Sequence, residues 1–259
     1  MSLNRGDLGP SISWCCTAED GTTLAEQAAD VPVPAASMIK LLVLSALLRS
    51  VRTGRVALTD TVAVTRWSDS TAPGDGRRFA PQPADADADF PPDGTLVSLH
   101  ELATWMIARS SNEATNCIVD RIGVTTVHDE IRELDCSGTV FARKLGDVVA
   151  AAAGLENIVT PRDLTNTMRA LTGSATARQM LAQQQFPHIV CELPNSVAWH
   201  GSKSGWIPGV LHDVAAAGVR GTGTVVLAVC TTASTSPKGT SSSAASLVCC
   251  SHVSNHVND

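Results

Sequence analysis

The stretch AASMIKLLVLSALLRSV, Ala35 to Val51, constrains this chain more than any other. It reads as a helix, apolar from Leu41 to Leu48 save for Ser45 and broken at Arg49. A membrane span needs roughly 18 to 20 consecutive apolar residues. This run is shorter, so the rest of the chain must cover it. Lys40 is then badly placed, because helix N-termini favour negative charge and a buried ammonium is costly. Either its amine reaches solvent or the chain accepts the cost for a chemical reason. On a helix, positions i and i+3 share a face, which brings the Lys40 amine to the Ser37 hydroxyl. Serine is a weak nucleophile until a base takes its proton. A lysine serves as that base once burial and nearby cations lower its pKa. The helix start also aims backbone N–H groups at the point where an oxyanion would form. The plain alternative is a serine N-cap beside a surface lysine.

The remaining composition allows such a cover and excludes several functions. The chain has 259 residues, 44% apolar and 17% charged, enough for one large globular domain. A net charge of −6 with no basic stripe argues against a nucleic-acid partner, and no segment is long enough for a membrane span. The eight cysteines include the adjacent pairs Cys15–Cys16 and Cys249–Cys250, with Cys117, Cys136, Cys191 and Cys230 scattered, mostly in apolar runs. That is neither a disulfide framework nor a zinc ligand set, and it reads as small buried thiols in a reducing compartment. The opening MSLNRGDLGP has no apolar core, so the chain as given reads as cytoplasmic, or as secreted if a leader has been removed. No nucleotide loop or cofactor motif is visible, and no cofactor or metal is expected. His252 and His256 have i, i+4 spacing but no carboxylate partner, which reads as a solvated helix face.

Period and punctuation divide the chain into layers. SISWCCTA (Ser11–Ala18) reads as a strand, and the Ala35 helix should end near Arg52–Arg55. Ser68 to Gly94 is rich in Pro, Asp, Gly and Ala and reads as a long polar loop or insertion. Ser98 and Glu101 form a capping box before a helix that breaks at RSSN, and a second helix stops at Gly123. Thr160, Pro161, Asp163 and Gly173 punctuate another helix. KSGWIPGVLHDVAAAGV and GTGTVVLAVCTT read as strands of a hairpin or meander, and SSSAASLVCCSHVSNHV as a terminal helix. The expected class is α/β (α+β), a single domain with an antiparallel sheet flanked by N- and C-terminal helices and an inserted all-helical lobe. Residues 1–34 and 195–259 would form the α/β part, and 35–194 the mostly helical part.

Two further clusters carry polar chemistry. Ser110-Ser111-Asn112 interrupts two helices, though Ser110 with Glu113 also reads as a capping box. Lys203-Ser204-Gly205 opens a strand before the WIPG turn. A cation, a hydroxyl and a residue with no side chain in the way suit a carboxylate. His212 and Asp213 follow on the next strand, where a structural hydrogen bond is the plainer reading of the histidine.

S-x-x-K, S-x-N and K-S-G in this order, with the flanks ASMIKLLVL, LATWMIARSSNEATN, NIVTPRDLTNTMRAL and SKSGWIPGVLHDVA, resemble class A β-lactamase-like serine hydrolases. The resemblance covers roughly Ile12 to Thr232. It implies that Ser37 attacks an acyl carbonyl and Lys40 takes its proton. Ser110 would protonate the leaving nitrogen, with Lys203 tuning charge. Asn112 would hold the acylamino side chain, and Lys203 and Ser204 the carboxylate, next to Gly205. The backbone N–H groups of Ser37 and Trp206 would form the oxyanion hole, each donor worth about 2.7–4 kcal/mol. Two departures matter. Ser111 stands where an Asp is usual. The E-x-x-L-N motif, whose Glu activates the water for release, is absent, and Arg143, Lys144 and Asp147 occupy that region. Asp147 and Glu156 are the carboxylates left for deacylation.

The resemblance implies a hydrolase working through an acyl-enzyme on a small β-lactam or related amide or ester, with slow release. A D-alanyl-D-alanine carboxypeptidase or esterase is the rival enzyme. A non-turnover penicillin-binding or sensing protein is the rival outside catalysis. Family branches with Tyr in the second motif are excluded, because the chain has no Tyr. The oligomeric state is not legible.

Overall fold

A computed structural model describes residues 11–74, 76–193, 197–219 and 223–233. The chain begins with β1 (Ser11–Ala18), β2 (Thr23–Gln27) and β3 (Val33–Pro34), and a 3-10 turn at Ala36–Ile39 leads into α1 (Lys40–Arg52). Short strands follow: β4 (Thr61–Ala63), β5 (Ser68–Asp69), β6 (Arg78–Phe79) and β7 (Leu96–Ser98). The helical middle holds α2 (Leu99–Ala108), α3 (Asn112–Ile122), α4 (Val124–Glu133) and α5 (Val148–Ala152). After β8 (Ile158–Val159) come α6 (Pro161–Thr172), α7 (Ala175–Leu181) and a second 3-10 turn at Val190–Glu192. The chain then runs through β9 (Trp199–Ile207), β10 (Val210–Val219) and β11 (Gly223–Thr232). No helix among the described residues is long and apolar enough to cross a membrane.

One antiparallel sheet runs β2-β1-β11-β10-β9, so β9 is an edge strand. The C-terminal stretch is a three-stranded meander. The WIPG segment splits the expected first strand into β9 and β10, with Gly209 taking the left-handed φ of +78° in the turn. Lys203–Gly205 accordingly lies inside β9 rather than opening it, because pairing with β10 extends back to Trp199. The helices expected to flank the sheet at the two ends fall outside the described residues. Among those described, α6 covers the sheet, packing on β1, β10 and β11. It begins as expected, with Thr160 Oγ1 accepting the Asp163 N–H at 3.1 Å and Pro161 in its first turn.

The apolar run of α1 is the centre of the helical layer. Leu41, Leu42, Val43, Leu44, Ala46 and Leu47 are fully buried, and α2, α3, α4 and α6 all pack around the helix. Its two polar interruptions have one answer: buried Glu130 of α4 accepts from Ser45 Oγ and pairs with Arg49. The helix ends at Arg52, with Gly54 at φ +71° beyond it. Cys15, Cys117, Cys136 and Cys230 are buried free thiols, and burial pushes the Cys136 thiol up to about 12.

The segment from Ser68 to Gly94 is tied down rather than a loose insertion. Fully buried Asp147 caps α5 through the Ala150 N–H at 2.9 Å. The same carboxylate accepts from Ser70 Oγ at 2.9 Å and from the Thr71 N–H at 2.9 Å. One buried charge thus fastens the β5–β6 loop to the 142–157 segment. Removing it leaves several enclosed donors unpaired, a loss of about 1–3 kcal/mol for such a group. Asp147→Ala should lower stability by that amount in urea unfolding, and Asp147→Asn should recover part of it.

Candidate active site

Ser37 lies on the 3-10 turn, not on α1 itself, while Lys40 is the first residue of α1. In a 3-10 turn, side chains at i and i+3 eclipse, so the alignment is closer than an α-helix gives. Two anchors fix this turn. Ala36 holds φ at +46°, a left-handed conformation unusual for a residue with a Cβ. Buried His212 of β10 reaches Pro34 O at 2.9 Å through Nε2, while Nδ1 accepts the Thr231 N–H at 3.2 Å. Accepting at Nδ1 leaves the proton on Nε2, and burial lowers the pKa of the imidazole, so it stays neutral. The histidine does make a structural hydrogen bond, and that bond ties the sheet to the segment entering Ser37.

Lys40 has no exposed surface. Its Nζ lies 2.6 Å from Ser110 O, 2.8 Å from Asn112 Oδ1, 2.9 Å from Ser37 Oγ and 3.1 Å from Ser110 Oγ. An ammonium has three protons for these four acceptors. A neutral amine fits better. Such an amine donates to the two closest acceptors, Ser110 O and Asn112 Oδ1, and has a lone pair free to take the Ser37 hydroxyl proton. Burial, then the nearby Lys203 charge, hold the Lys40 pKa well below the usual lysine value. Glu113, Asp85 and Asp87 oppose the shift.

The α2–α3 break supplies the next groups. Ser110 has φ +61°, which turns its carbonyl and its hydroxyl towards Lys40. The N-cap of α3 is Ser111, whose Oγ accepts the Ala114 N–H at 3.2 Å. The expected Ser110–Glu113 capping box does not form. Glu113 is buried and pairs with Arg66 at 3.0 Å, and it accepts the Asp87 N–H at 3.1 Å. Asp87 in turn pairs with Arg109 at 2.8 Å, and Asn112 Nδ2 donates to Asp85 O at 2.9 Å. The sequence reading missed this second layer. Its one visible signal was the density of Asp in the ADADAD stretch, which looked like solvated loop.

Lys203 reaches in from edge strand β9. Its buried Nζ lies 3.0 Å from Ser110 Oγ and 2.6 Å from Ser204 O. The Ser110 hydroxyl thus stands between two amines. Burial lowers the Lys203 pKa to about 7, with Asp213 pulling it back up. Asp213, paired across the sheet with Ser204, is itself pushed up to about 7 by burial, against hydrogen bonds from the Ile189 and His188 N–H groups. Ser204 Oγ is buried with no hydrogen-bond partner among the described residues. Gly205 is where strand and turn touch. A Cβ there would lie 2.8 Å from Ser37 N and 3.0 Å from Met38 N, so only glycine lets β9 pass this close. Trp206 follows at the exposed rim.

This arrangement can take a proton from a hydroxyl and move it to a second hydroxyl beside a buried cation. The sequence matches the model of the beta-lactamase enzyme family over residues 7–253. The chain belongs to that family. Among solved structures, a β-lactamase from Sphaerobacter thermophilus DSM 20745 is similar at TM-score 0.70 and 26% identity, covering 90% of this chain and 87% of its own. PBP-A gives TM-score 0.69 at 22% identity, with 87% and 82% covered. A tryptophan-to-aspartate variant of the last common ancestor class A β-lactamase of Gram-negative bacteria gives 0.72 at 17%, with 94% and 90% covered. These last two speak for the fold alone. No curated protein matches the sequence. The protein is a class A β-lactamase-like serine hydrolase.

Within this β-lactamase-like frame, the two carboxylates left for deacylation have other engagements. Asp147 is fully buried and holds the α5 cap and the β5–β6 loop. Glu156 pairs with Arg143 at 3.4 Å. Nearby in the chain, the Leu145 backbone is held by the Asn116 side chain through both N–H and C=O, at 3.0 and 2.9 Å. Asn116 lies one turn beyond Asn112 on α3.

Two measurements test this geometry. Gly205→Ala should fold, by circular dichroism, yet lose at least about tenfold in acylation rate as the added methyl pushes β9 from Ser37. Lys203→Met removes a buried cation. Because the folded pKa near 7 lies below the unfolded value near 10.5, the cost of burial is full below pH 7 and fades as pH rises towards 10.5. The stability of the variant relative to the parent should be highest at pH 6. It should fall between pH 7 and 10.5 in urea titrations.

Proposed function

We propose that this hydrolase opens β-lactams through an acyl-enzyme on Ser37 and releases the product slowly. The observation that carries this is the Lys40 amine, enclosed, held at 2.9 Å from the Ser37 hydroxyl and with its pKa pushed well below the usual lysine value by burial. Ser37 Oγ attacks the lactam carbonyl while its proton passes to Lys40. The N–H groups of Ser37 and Trp206 face the developing oxyanion. The C–N bond breaks, and the proton reaches the leaving nitrogen through Ser110, which lies between Lys40 and Lys203. Lys203 and Ser204 hold the substrate carboxylate, and Asn112 the acylamino group. Hydrolysis of the ester then needs an activated water. The engagement of Asp147 with the α5 cap and of Glu156 with Arg143 supports slow release. A variant of PBP-A is known as its acyl-enzyme with penicillin G, which agrees with a fold of this kind holding such an adduct.

Intact mass after mixing with penicillin G should show one adduct that persists for minutes or longer. Ser37→Ala should form none, and a Ser37→Ala adduct or full turnover by that variant sinks the scheme. Glu156→Gln should change adduct decay by less than about threefold. A loss of tenfold or more would make Glu156 the deacylation base. The acylation rate should rise with pH as Lys40 loses its proton and fall above about pH 7 as Lys203 loses its charge. Asp213→Asn removes the charge that raises the Lys203 pKa, so the falling limb should move to lower pH.

A further inference from the structure

Asn112 and Glu113 are neighbours at the start of α3, and both grip the same piece of chain. Asn112 Nδ2 donates to Asp85 O at 2.9 Å, and each Glu113 oxygen accepts the Asp87 N–H at 3.1 Å. The piece they grip, residues 85–90, lies between β6 and β7 and pairs with no strand among the described residues. Its backbone bonds to its own stretch at two turns, from the Asp85 N–H to Gln82 O at 2.8 Å and from the Phe90 N–H to Asp87 O at 3.1 Å. Side chains from elsewhere must therefore place it.

Two arginines do so. Arg66 donates to Asp87 O at 3.1 Å and to Phe90 O at 2.7 Å, and it pairs with Glu113 at 3.0 Å. Arg109 holds the Asp87 carboxylate at 2.8 Å. Their guanidinium groups lie over Phe90 and Trp105, at 5.4 and 4.5 Å from the ring centroids, and those two rings meet edge to face. The Glu113 side chain is fully buried in the first turn of α3, where the helix dipole favours its charge. Replacing a buried ion pair with apolar residues is often neutral for stability, so stability alone does not account for this one.

What depends on the grip is the orientation of the Asn112 amide. A carbonyl oxygen can only accept, so Asp85 O takes the Nδ2 side and leaves Oδ1 facing the Lys40 amine at 2.8 Å. The opposite orientation would set two carbonyl oxygens face to face and turn an NH2 group towards an amine. With Oδ1 in place, Lys40 keeps an acceptor that holds its Nζ beside Ser37 Oγ. We propose that Glu113, with Arg66 as its counter-charge, is a positioning residue for acyl transfer: it anchors residues 85–90 so that the Asp85 carbonyl fixes the Asn112 amide, and through it the Lys40 amine, in the orientation that serves Ser37. This rests on the acyl-transfer reading of Ser37. The charges of Glu113, Asp85 and Asp87 also act on Lys40, although its hydrogen bonds go to Ser37, Ser110 and Asn112.

Three variants separate placement from charge and from folding, which circular dichroism confirms for each. Glu113→Gln loses the charge but keeps an Oε1 able to accept from Arg66 and from the Asp87 N–H, the two contacts that Glu113 Oε1 makes. Arg66→Met, at a partly exposed position, releases Asp87 O and Phe90 O. Arg66→Met combined with Glu113→Leu removes both charges and leaves no lone buried ion. The first readout is the Asn112 side-chain NH2 resonance of 15N-labelled protein, assigned as the pair missing from Asn112→Asp. The second is the rate of adduct formation with penicillin G by intact mass. In Arg66→Met and in the double variant, the NH2 pair should move towards the position of solvent-exposed asparagines and acylation should slow by about tenfold or more. Glu113→Gln should keep both readouts close to the parent. An NH2 pair that stays in place in the two disrupting variants overturns the proposal, as does a loss of rate in Glu113→Gln equal to that of the double variant. If the parent forms no adduct but the NH2 pair moves as described, the acyl-transfer reading fails and Glu113 still positions Asn112. If the parent forms its adduct and the disrupting variants leave its rate unchanged, the positioning role fails and the acyl-transfer reading stands.

Discussion

A lysine amine with no exposed surface, shared among Ser37, Ser110 and Asn112, is the constraint around which the molecule is organised. Burying an ammonium is unfavourable by several kcal/mol unless it is well solvated by protein groups. Each acceptor comes from a backbone feature with its own cost or its own support. Ser37 needs the 3-10 turn behind Ala36 at φ +46°, and Ser110 needs φ +61° at the break between α2 and α3. Asn112 needs α3 to begin one residue later than the S-x-x-E pattern suggests, which the Ser111 cap achieves. Two non-glycine residues in left-handed conformation beside the same amine are strain placed where the chemistry is. The fully buried length of α1 provides the rigid body that keeps it there.

The sheet approaches this assembly from the other side, and two residues set the distance. Gly205 lets the edge strand come within contact of the Ser37 N–H, and His212 bonds to Pro34 O just upstream of the turn. Together they lock β9 and β10 to the nucleophile. Lys203 then arrives at Ser110 from the opposite direction to Lys40. Burial and the Lys203 charge disfavour charge on Lys40, which suits that amine to take a proton from Ser37 and give it up to Ser110. Asp213 is the counterweight, an enclosed carboxylate that keeps Lys203 cationic over part of the pH range while fastening the loop at His188 and Ile189.

Much of this was legible in the sequence because it is local. Ser37 and Lys40 lie three apart, the Ser98–Glu101 box and the Thr160–Pro161 start announce their helices, and strict alternation marks β1. The family resemblance joined three clusters that no local rule connects. What stayed hidden was long-range. The ADADAD stretch is polar and rich in turn formers, so its pattern says loop. Nothing local reveals that Asp87 meets Arg109, that Glu113 meets Arg66, or that an Asp85 carbonyl holds Asn112. Ser110–Glu113 misled for a related reason. The capping pattern fits, but Arg66 pairs with the buried glutamate more strongly than a backbone N–H does. The split of the expected strand at WIPG follows from pairing with β10, which sequence alternation alone does not set.

The same contacts support the proposal that attack outpaces release. Attack uses groups fixed by α1, α3 and β9, all anchored in the core. Release needs a water and a base, and the carboxylates proposed for it lie in residues 142–157. In that segment the polar groups already serve the fold: Asp147 holds a cap and a neighbouring loop, Asn157 accepts from the Ala142 and Arg143 N–H groups, and Arg143 pairs with Glu156. A carboxylate whose lone pairs are already held by several donors is poorly placed to take a proton from a water. The polar groups of this segment are taken up by the fold, which supports the proposed acyl-enzyme that forms readily and departs slowly.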